Sequence, residues 1–228
     1  WRLLGISAIM ALVTASAATA LAYPVAYFLV FRAGRRAGLY LLLLLVPFWT
    51  SYLLRVMAWK FLLGSEGIIN SFLGYVGLVE APVTLLLYNR PAVVITLVYV
   101  WIPFVTLPIL AALQRIEPAL LEAAADLGAA PRRAFARVTL PLSLPIIATV
   151  GVFNFVGSWN NFLLPLIVLN SEASYTWPLG IMQFQGEYGT DWPRILAYLT
   201  LTLIPALAFF LLAQRYIISG LTGGAVKG

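Results

Sequence analysis

The chain has 228 residues, of which 62% are hydrophobic and only 10% charged, against about 25% charged in an ordinary soluble domain. It contains neither cysteine nor histidine, which removes disulfides, thiolate nucleophiles, histidine acid/base pairs and the usual zinc sites from consideration. The net charge of +6 would point to nucleic acid only if membrane topology did not already account for the basic residues.

A spanning helix needs roughly 20 mainly apolar residues, and five stretches meet that requirement: 6–31, 39–59, 92–113, 144–169 and 195–213. They are too long and too continuously apolar for barrel strands, so the expectation is an all-α polytopic membrane protein, one transmembrane domain over residues 1–228. The first stretch exceeds a signal-peptide core of about 7 to 15 residues and is followed by further spans, so it reads as a retained helix.

The loop after the second span, 60–91, contains "GSEGIINSFLGYVGL", the pattern of a short amphipathic helix lying at a membrane surface or closing over helix ends. The loop after the fourth span carries Trp177, Tyr188 and Trp192, which suit an interfacial aromatic belt. The fourth span carries Asn154, Ser158, Trp159, Asn160 and Asn161, with Gly151 and Gly157 nearby. Amides and hydroxyls at that depth either join helices by hydrogen bonds, their commoner use, or contact a passing solute. Asn with Trp would suit a sugar or polyol. Pro24, Pro103, Pro108 and Pro165 lie within spans, where they can bend helices.

Basic residues give the orientation. Arg32, Arg35, Arg36, Arg115, Arg132, Arg133, Arg137, Arg215 and Lys227 fall on one side; Arg2, Lys60, Arg90 and Arg194 fall on the other, with Arg55 near the end of a span. Nine against four places loops 32–38 and 114–143 and the C-terminus in the cytoplasm and the N-terminus outside. The charge is then topological, and nucleic acid is not expected as a partner.

The segment 114–143 is long for a connector. Within it, "EAAADLGAAPRRAFARVTLP" begins as a run of strong helix formers, is stopped by Gly128, and restarts at Pro131. Two short helices with a sharp bend are expected. The second places Arg133 and Arg137 four apart and leaves Phe135 and Val138 on another face; a helix that mixes Phe with Arg suits insertion into a groove on a partner, while Leu140-Pro141 sets the entry to the fourth span. The plain alternative is a basic cytoplasmic connector.

Glu122-Ala123-Ala124, Gly128, Val138 and Leu140-Pro141 fall at the spacings of the "EAA" loop of permease subunits in type I ATP-binding cassette importers, with Val138 in a position where that pattern has Ile. The chain resembles that family over nearly its whole length. Residues 1–145 resemble spermidine/putrescine permeases ("PFWTSYLLRVMAWKFLL", "LVYVWIPFVTLPILAAL"), and 146–228 resemble carbohydrate and glycerol-phosphate permeases ("GSWNNFLLPLIVLN", "AQRYIISGLTGGAVKG"). The resemblance implies a coupling loop that docks on a cytoplasmic ATPase dimer through Glu122, Ala123, Ala124, Asp126, Gly128, Arg132, Arg133, Phe135, Leu140 and Pro141. It also implies a second permease subunit, an extracytoplasmic solute-binding protein, a cytoplasmic-membrane location, and a sixth, N-terminal span absent from this chain.

No G-x-x-x-x-G-K-[ST] occurs, so ATP and magnesium are expected on the partner ATPase, with no cofactor on this chain and no catalytic residue in it. The glycine-rich tail "SGLTGGAVKG" is expected to be unstructured in isolation and, by the resemblance, to reach toward the ATPase. The function implied is import of a small polar solute, a sugar, polyol, glycerol phosphate or polyamine, by alternating access. An ion-coupled secondary transporter or a channel is the alternative, and it would call for ionisable groups in the spans that this sequence scarcely has.

Overall fold

An alanine stripe sets the centre of the bundle. Helix α1 (Arg2–Phe31) buries Ala11, Ala15, Ala18, Ala22 and Ala26 along one face, at three- and four-residue spacing. Small side chains let neighbouring backbones approach closely in an apolar medium, and α1 accordingly packs along both α5 (Arg90–Leu113) and α8 (Leu140–Trp159). The computed structural model describes residues 2–79, 83, 88–186 and 189–222. Trp1, Tyr188, Lys227 and residues 223–228 of the glycine-rich tail lie outside the described residues.

Between α1 and α5 the chain forms α2 (Ala37–Leu45), α3 (Tyr52–Leu63) and α4 (Ile68–Tyr75). The second apolar stretch is therefore not one straight span: the helical segments on either side of residues 50–51 meet at 93°. Thr50 and Ser51 adopt extended backbone, the Ser51 hydroxyl accepts the Leu54 N–H to cap α3, and Thr50 Oγ1 donates to the Pro47 carbonyl at 2.7 Å. Pro47, which has no amide to donate back into α2, sits where the chain passes into a tighter turn over Val46–Trp49, and Ser51 then caps a new helix.

The segment after α5 forms α6 (Pro118–Asp126) and α7 (Pro131–Ala134). The second short helix does not end before the fourth span. It runs through a π-helical turn at Phe135–Thr139 directly into α8, giving one apolar helix over Pro131–Trp159. The Leu140 N–H bonds to the Phe135 carbonyl, five residues back. That widened turn accommodates Pro141, which lacks an N–H and whose ring would press on the carbonyl four residues earlier.

The fourth stretch is interrupted too. α8 stops at Trp159, and a separate α9 (Leu163–Val168) follows. Beyond it a two-residue hairpin pairs Gln185–Gly186 with Gly189–Thr190, and α10 (Trp192–Thr222) closes the chain. Asp191 accepts the Arg194 N–H and forms an ion pair with its side chain at 3.1 Å. α10 is longer than its apolar stretch and takes in the first residues of the tail, Ser219 to Thr222. By length and composition four described helices can cross a membrane, five spans when the bent pair is taken as one.

Three apolar clusters hold these helices. One, at the end where α1 begins, joins Met10, Val56, Val93, Leu97, Leu164 and Val168. A second, toward the end where α1 stops, joins Ala22, Tyr23, Val105, Ile109, Leu113 and Val150. The third faces α10 and contains Ala15, Phe155, Trp159 and Trp177. Trp177 is not an interfacial anchor: it is 5% exposed, stacks on Tyr198 with ring centroids 4.1 Å apart, and donates through Nε1 to Thr202. Trp192, by contrast, is exposed.

Candidate functional site

Two places concentrate the chemistry: the hairpin of α6 and α7, and the paired breaks in the second and fourth spans.

α6 ends in a complete Schellman motif. The Gly128 N–H donates to the Ala125 carbonyl at 2.8 Å and the Ala129 N–H to the Ala124 carbonyl at 2.9 Å. Gly128 sits at φ +74°, and a Cβ placed there would meet nothing within 4 Å. Glycine is required for its backbone conformation alone, not for space. The Glu-Ala-Ala triplet thus supplies part of the turn itself, because the carbonyls it carries close the helix. The side chains of Glu122, Ala123, Asp126, Arg132 and Arg133 are exposed, with Ala124 half-buried. Glu122 makes no ion pair with Arg115 or Arg133 among the described residues.

No residue of α6 is buried, yet Leu120 is 45% and the following Leu127 89% exposed. Leu120, Ala123 and Leu127 lie at i, i+3 and i+7, one stripe of the helix and its C-terminal cap. The two leucines were missed among the candidate residues, although the signal was present: Leu120 and Leu127 lie seven apart in a segment whose remaining residues, Leu121 aside, are mostly alanine and acid.

Phe135 does not project outward with the arginines. It begins the π-helical turn and packs edge-on against Tyr23 and Tyr27 of α1, with centroids 5.8 and 5.5 Å away. Its direction is inward because helical spacing of about 100° per residue sets it on the side of the helix opposite Arg133. Leu140 joins the same cluster, while Pro141 is exposed. Just beyond, the buried Ser143 hydroxyl shares a 2.9 Å hydrogen bond with the Tyr23 hydroxyl and also donates toward the Thr139 and Leu140 carbonyls. Aromatic packing and a buried hydrogen bond thus fasten the base of α8 to α1.

The five polar residues of the fourth span divide into two groups. Asn154, Ser158 and Trp159 are buried within the chain: Ser158 donates to Asn154 Oδ1 at 3.0 Å, and Trp159 Nε1 donates to the Thr202 carbonyl at 3.1 Å. Asn160 is exposed and Asn161 half-buried at the break. Asn161 Oδ1 accepts the Leu164 N–H, capping the start of α9, while its Nδ2 donates to the Tyr52 hydroxyl at 3.1 Å. The two breaks are therefore stitched to each other, and Tyr52 is a second residue that the sequence pattern did not single out. Gly157 is fixed by close approach, since a Cβ there would collide with the Trp101 ring, whereas Gly151 has nothing within 4 Å. Gly151 instead borders an apolar cavity of about 570 Å³ between α1, α8 and α10, lined also by Leu12, Thr19, Ile147 and Phe209.

Among the described residues no group of acidic side chains could hold a metal ion, and no Asp or Glu falls within α1, α2, α3, α5, α8 or α10. What the two places offer is a helix with an unpartnered apolar stripe at one end and an amide–phenol pair between broken helices elsewhere.

The chain is 34% identical over 172 residues to the inner membrane ABC transporter permease protein YdcU of Escherichia coli K12, covering 70% of this chain and 54% of that protein. It is 33% identical over 184 residues to the spermidine/putrescine transport system permease protein PotB of the same organism, covering 75% of this chain and 66% of that one. The chain thus spans between about half and two thirds of the length of these curated relatives. In fold it is similar to a chain of a bacterial ABC transporter involved in the import of the acidic polysaccharide alginate, with a TM-score of 0.70, 21% identity and coverage of 91% of this chain and 77% of that one. Residues 3–222 match the model of the binding-protein-dependent transport system inner membrane component, and the chain belongs to that family of ABC transporter permeases.

Proposed function

We propose that the chain is the permease subunit of an ATP-driven importer in which α6 docks on a cytoplasmic ATPase and the paired breaks of the second and fourth spans border the path of a small polar solute. The N-terminus and the loops holding α4 and residues 170–191 then face outward, and loops 32–38 and 114–143 face the cytoplasm, as the basic residues require. The observation that carries this reading is the stripe of Leu120, Ala123 and Leu127 on a helix with no buried residue, backed by the packing of Phe135 and Ser143 against Tyr27 and Tyr23 of α1. An apolar stripe on a short exposed helix gains its burial only in a partner's groove, and a groove on the ATPase supplies it.

The mechanism follows from that placement. ATP with magnesium binds the partner ATPase pair, whose closure draws α6 with it; Phe135 and the Tyr23–Ser143 bond pass the displacement to α1 and α8, and the spans exchange inward-facing for outward-facing arrangements. A second permease subunit completes the path and an extracytoplasmic binding protein delivers the solute. Asn160, Asn161 and Tyr52 offer amide and phenol groups suited to a sugar or polyol, and no carboxylate stands in the described spans to pair with a polyamine.

The test is uptake in membranes carrying the complete transporter, with ATP supplied or withheld and with Leu127→Asp in the permease. The expected results are ATP-dependent uptake by the wild type and, in the variant, loss of both uptake and the co-purified ATPase while the permease remains inserted. Uptake indifferent to ATP, or an undiminished ATPase complex with Leu127→Asp, would refute the reading. Competition by putrescine, spermidine, neutral sugars and glycerol phosphates in the same assay identifies the solute class.

A further inference from the structure

Arg55 is the charged residue closest in sequence to the elbow between α2 and α3, and its environment is incomplete. Its guanidinium lies 4.3 Å from the centroid of Phe48 and 5.9 Å from that of Tyr52. Nε and Nη1 are nevertheless buried and have no hydrogen-bond partner among the described residues. Stacking on aromatic faces returns only part of what removing a guanidinium from water costs; the remainder requires acceptors.

The helical geometry of α3 says from which direction an acceptor can come. Val56 and Leu63 form its buried stripe. Leu54, Ala58 and Phe61 form its exposed face, with Leu54 at 64% and Phe61 at 76%. At 100° per residue, Arg55 falls on the flank between the two, next to Ala58. The exposed face is apolar with a small residue at its middle, the composition that lets another helix come close. Acyl chains would cover Leu54 and Phe61 equally well, but they hold no acceptor for Arg55.

We propose that this face of α3 is covered by the second permease subunit, which supplies a carboxylate or free backbone carbonyls to the Arg55 guanidinium. The inference rests on the two-permease reading above and adds to it which surface is joined and which charge specifies the join. Arg55 is a positioning residue at that interface.

The absence of native cysteine makes the test direct. In membranes carrying the whole transporter, Ala58→Cys is labelled with a maleimide bearing a benzophenone and illuminated, so that the thiol takes the maleimide and the photoactivated ketone inserts into any C–H bond within reach; a permease–permease adduct is expected, and its absence would overturn the proposal. In parallel, Arg55→Met and Arg55→Lys are compared by the amount of second permease that co-purifies. Arg55→Met is expected to lower that amount by at least about tenfold, because it strands a buried acceptor on the partner, with Arg55→Lys retaining part of it. If lipid covers the face, Arg55→Met leaves pairing intact and raises the melting temperature by removing an unpaired cation. If Arg55 meets the solute, pairing is unchanged and the apparent KM for uptake shifts. Either result refutes the interface. ATP-dependent uptake by the wild type in the same membranes separates these outcomes from failure of the importer reading itself.

Discussion

Gly128 separates backbone requirement from steric requirement more cleanly than any other position in the hairpin. Its φ of +74° is in the left-handed region, and no atom lies within 4 Å of where a Cβ would be. A side chain is therefore admitted by space and penalised only by conformation. For Ala that penalty is about 1–2 kcal/mol, which lowers the population of the closed turn by roughly 5- to 30-fold relative to the open one. Asn adopts this conformation more readily despite its greater bulk, and Val less readily because of its branched Cβ. Pro fixes φ near −65° and also removes the N–H that bonds the Ala125 carbonyl. Under the proposed coupling role, the ratio of solute taken up to ATP hydrolysed in proteoliposomes should fall in the order Gly, Asn, Ala, Val, Pro, with permease inserted at equal levels. An order that follows side-chain volume, with Asn below Ala, would show that something packs against Gly128 and would refute the conformational argument. Full coupling in Gly128→Pro would remove the bend from the mechanism.

At Gly157, Ala should lower thermal stability in detergent by about 1–3 kcal/mol, as overpacking against the Trp101 ring does in a close-packed interior; Trp101→Leu in the same chain should restore most of the loss, and the absence of rescue would deny the contact. The Tyr52–Asn161 bond should give a coupling of about 0.6 kcal/mol, and no more than about 1.7, in a double-mutant cycle of Tyr52→Phe and Asn161→Ala followed by thermal unfolding. Additive effects of the two substitutions would mean that the breaks are held apart from each other by other contacts.

The spans and the hairpin could be read from the sequence because both depend on local signals. Apolar length identifies a helix in a bilayer without any knowledge of its neighbours, and Gly128 followed by Pro131 marks a stop and a restart by backbone preference alone. The elbow at residues 50–51 was hidden by the same averaging: a window of hydropathy over 39–59 counts Pro47, Thr50 and Ser51 as three weak residues, whereas a cap search would have found Ser51 three positions before Leu54. The break at Asn160 and Asn161 carries no Pro or Gly; its local signal is the Asn161 cap on Leu164, three positions on, whereas its bond to Tyr52, 109 positions away, is the part no local rule gives. The division among the polar residues of the fourth span, with Asn154, Ser158 and Trp159 buried, lies at another level. Their residue types are right for binding a polyol, but which face of α8 is turned toward α10 and Thr202 is settled by packing.

The continuity of the fold then bears on how a displacement at α6 reaches the breaks. The fourth span, directly joined to α7, is the obvious conductor, but it carries a π-helical turn at Phe135–Thr139 and stops at Trp159. Both are points where a helix yields. α1 has no such interruption over its 30 residues, with Pro24 as its single internal proline. At one end its Tyr23 and Tyr27 hold Phe135, and Tyr23 holds Ser143. Toward the other end Met10 packs in the cluster that includes Val56 of α3 and Leu164 of α9, and Ser7 Oγ accepts the Trp177 N–H at 2.6 Å. α1 therefore touches the hairpin's anchor and both broken spans. Its alanine stripe keeps it against α5 and α8 with little side-chain material in between to absorb a shift. A continuous helix that contacts both sites is the element whose two positions each site can bias, and in the proposed cycle that element is α1, with the softened α8 free to bend beside it.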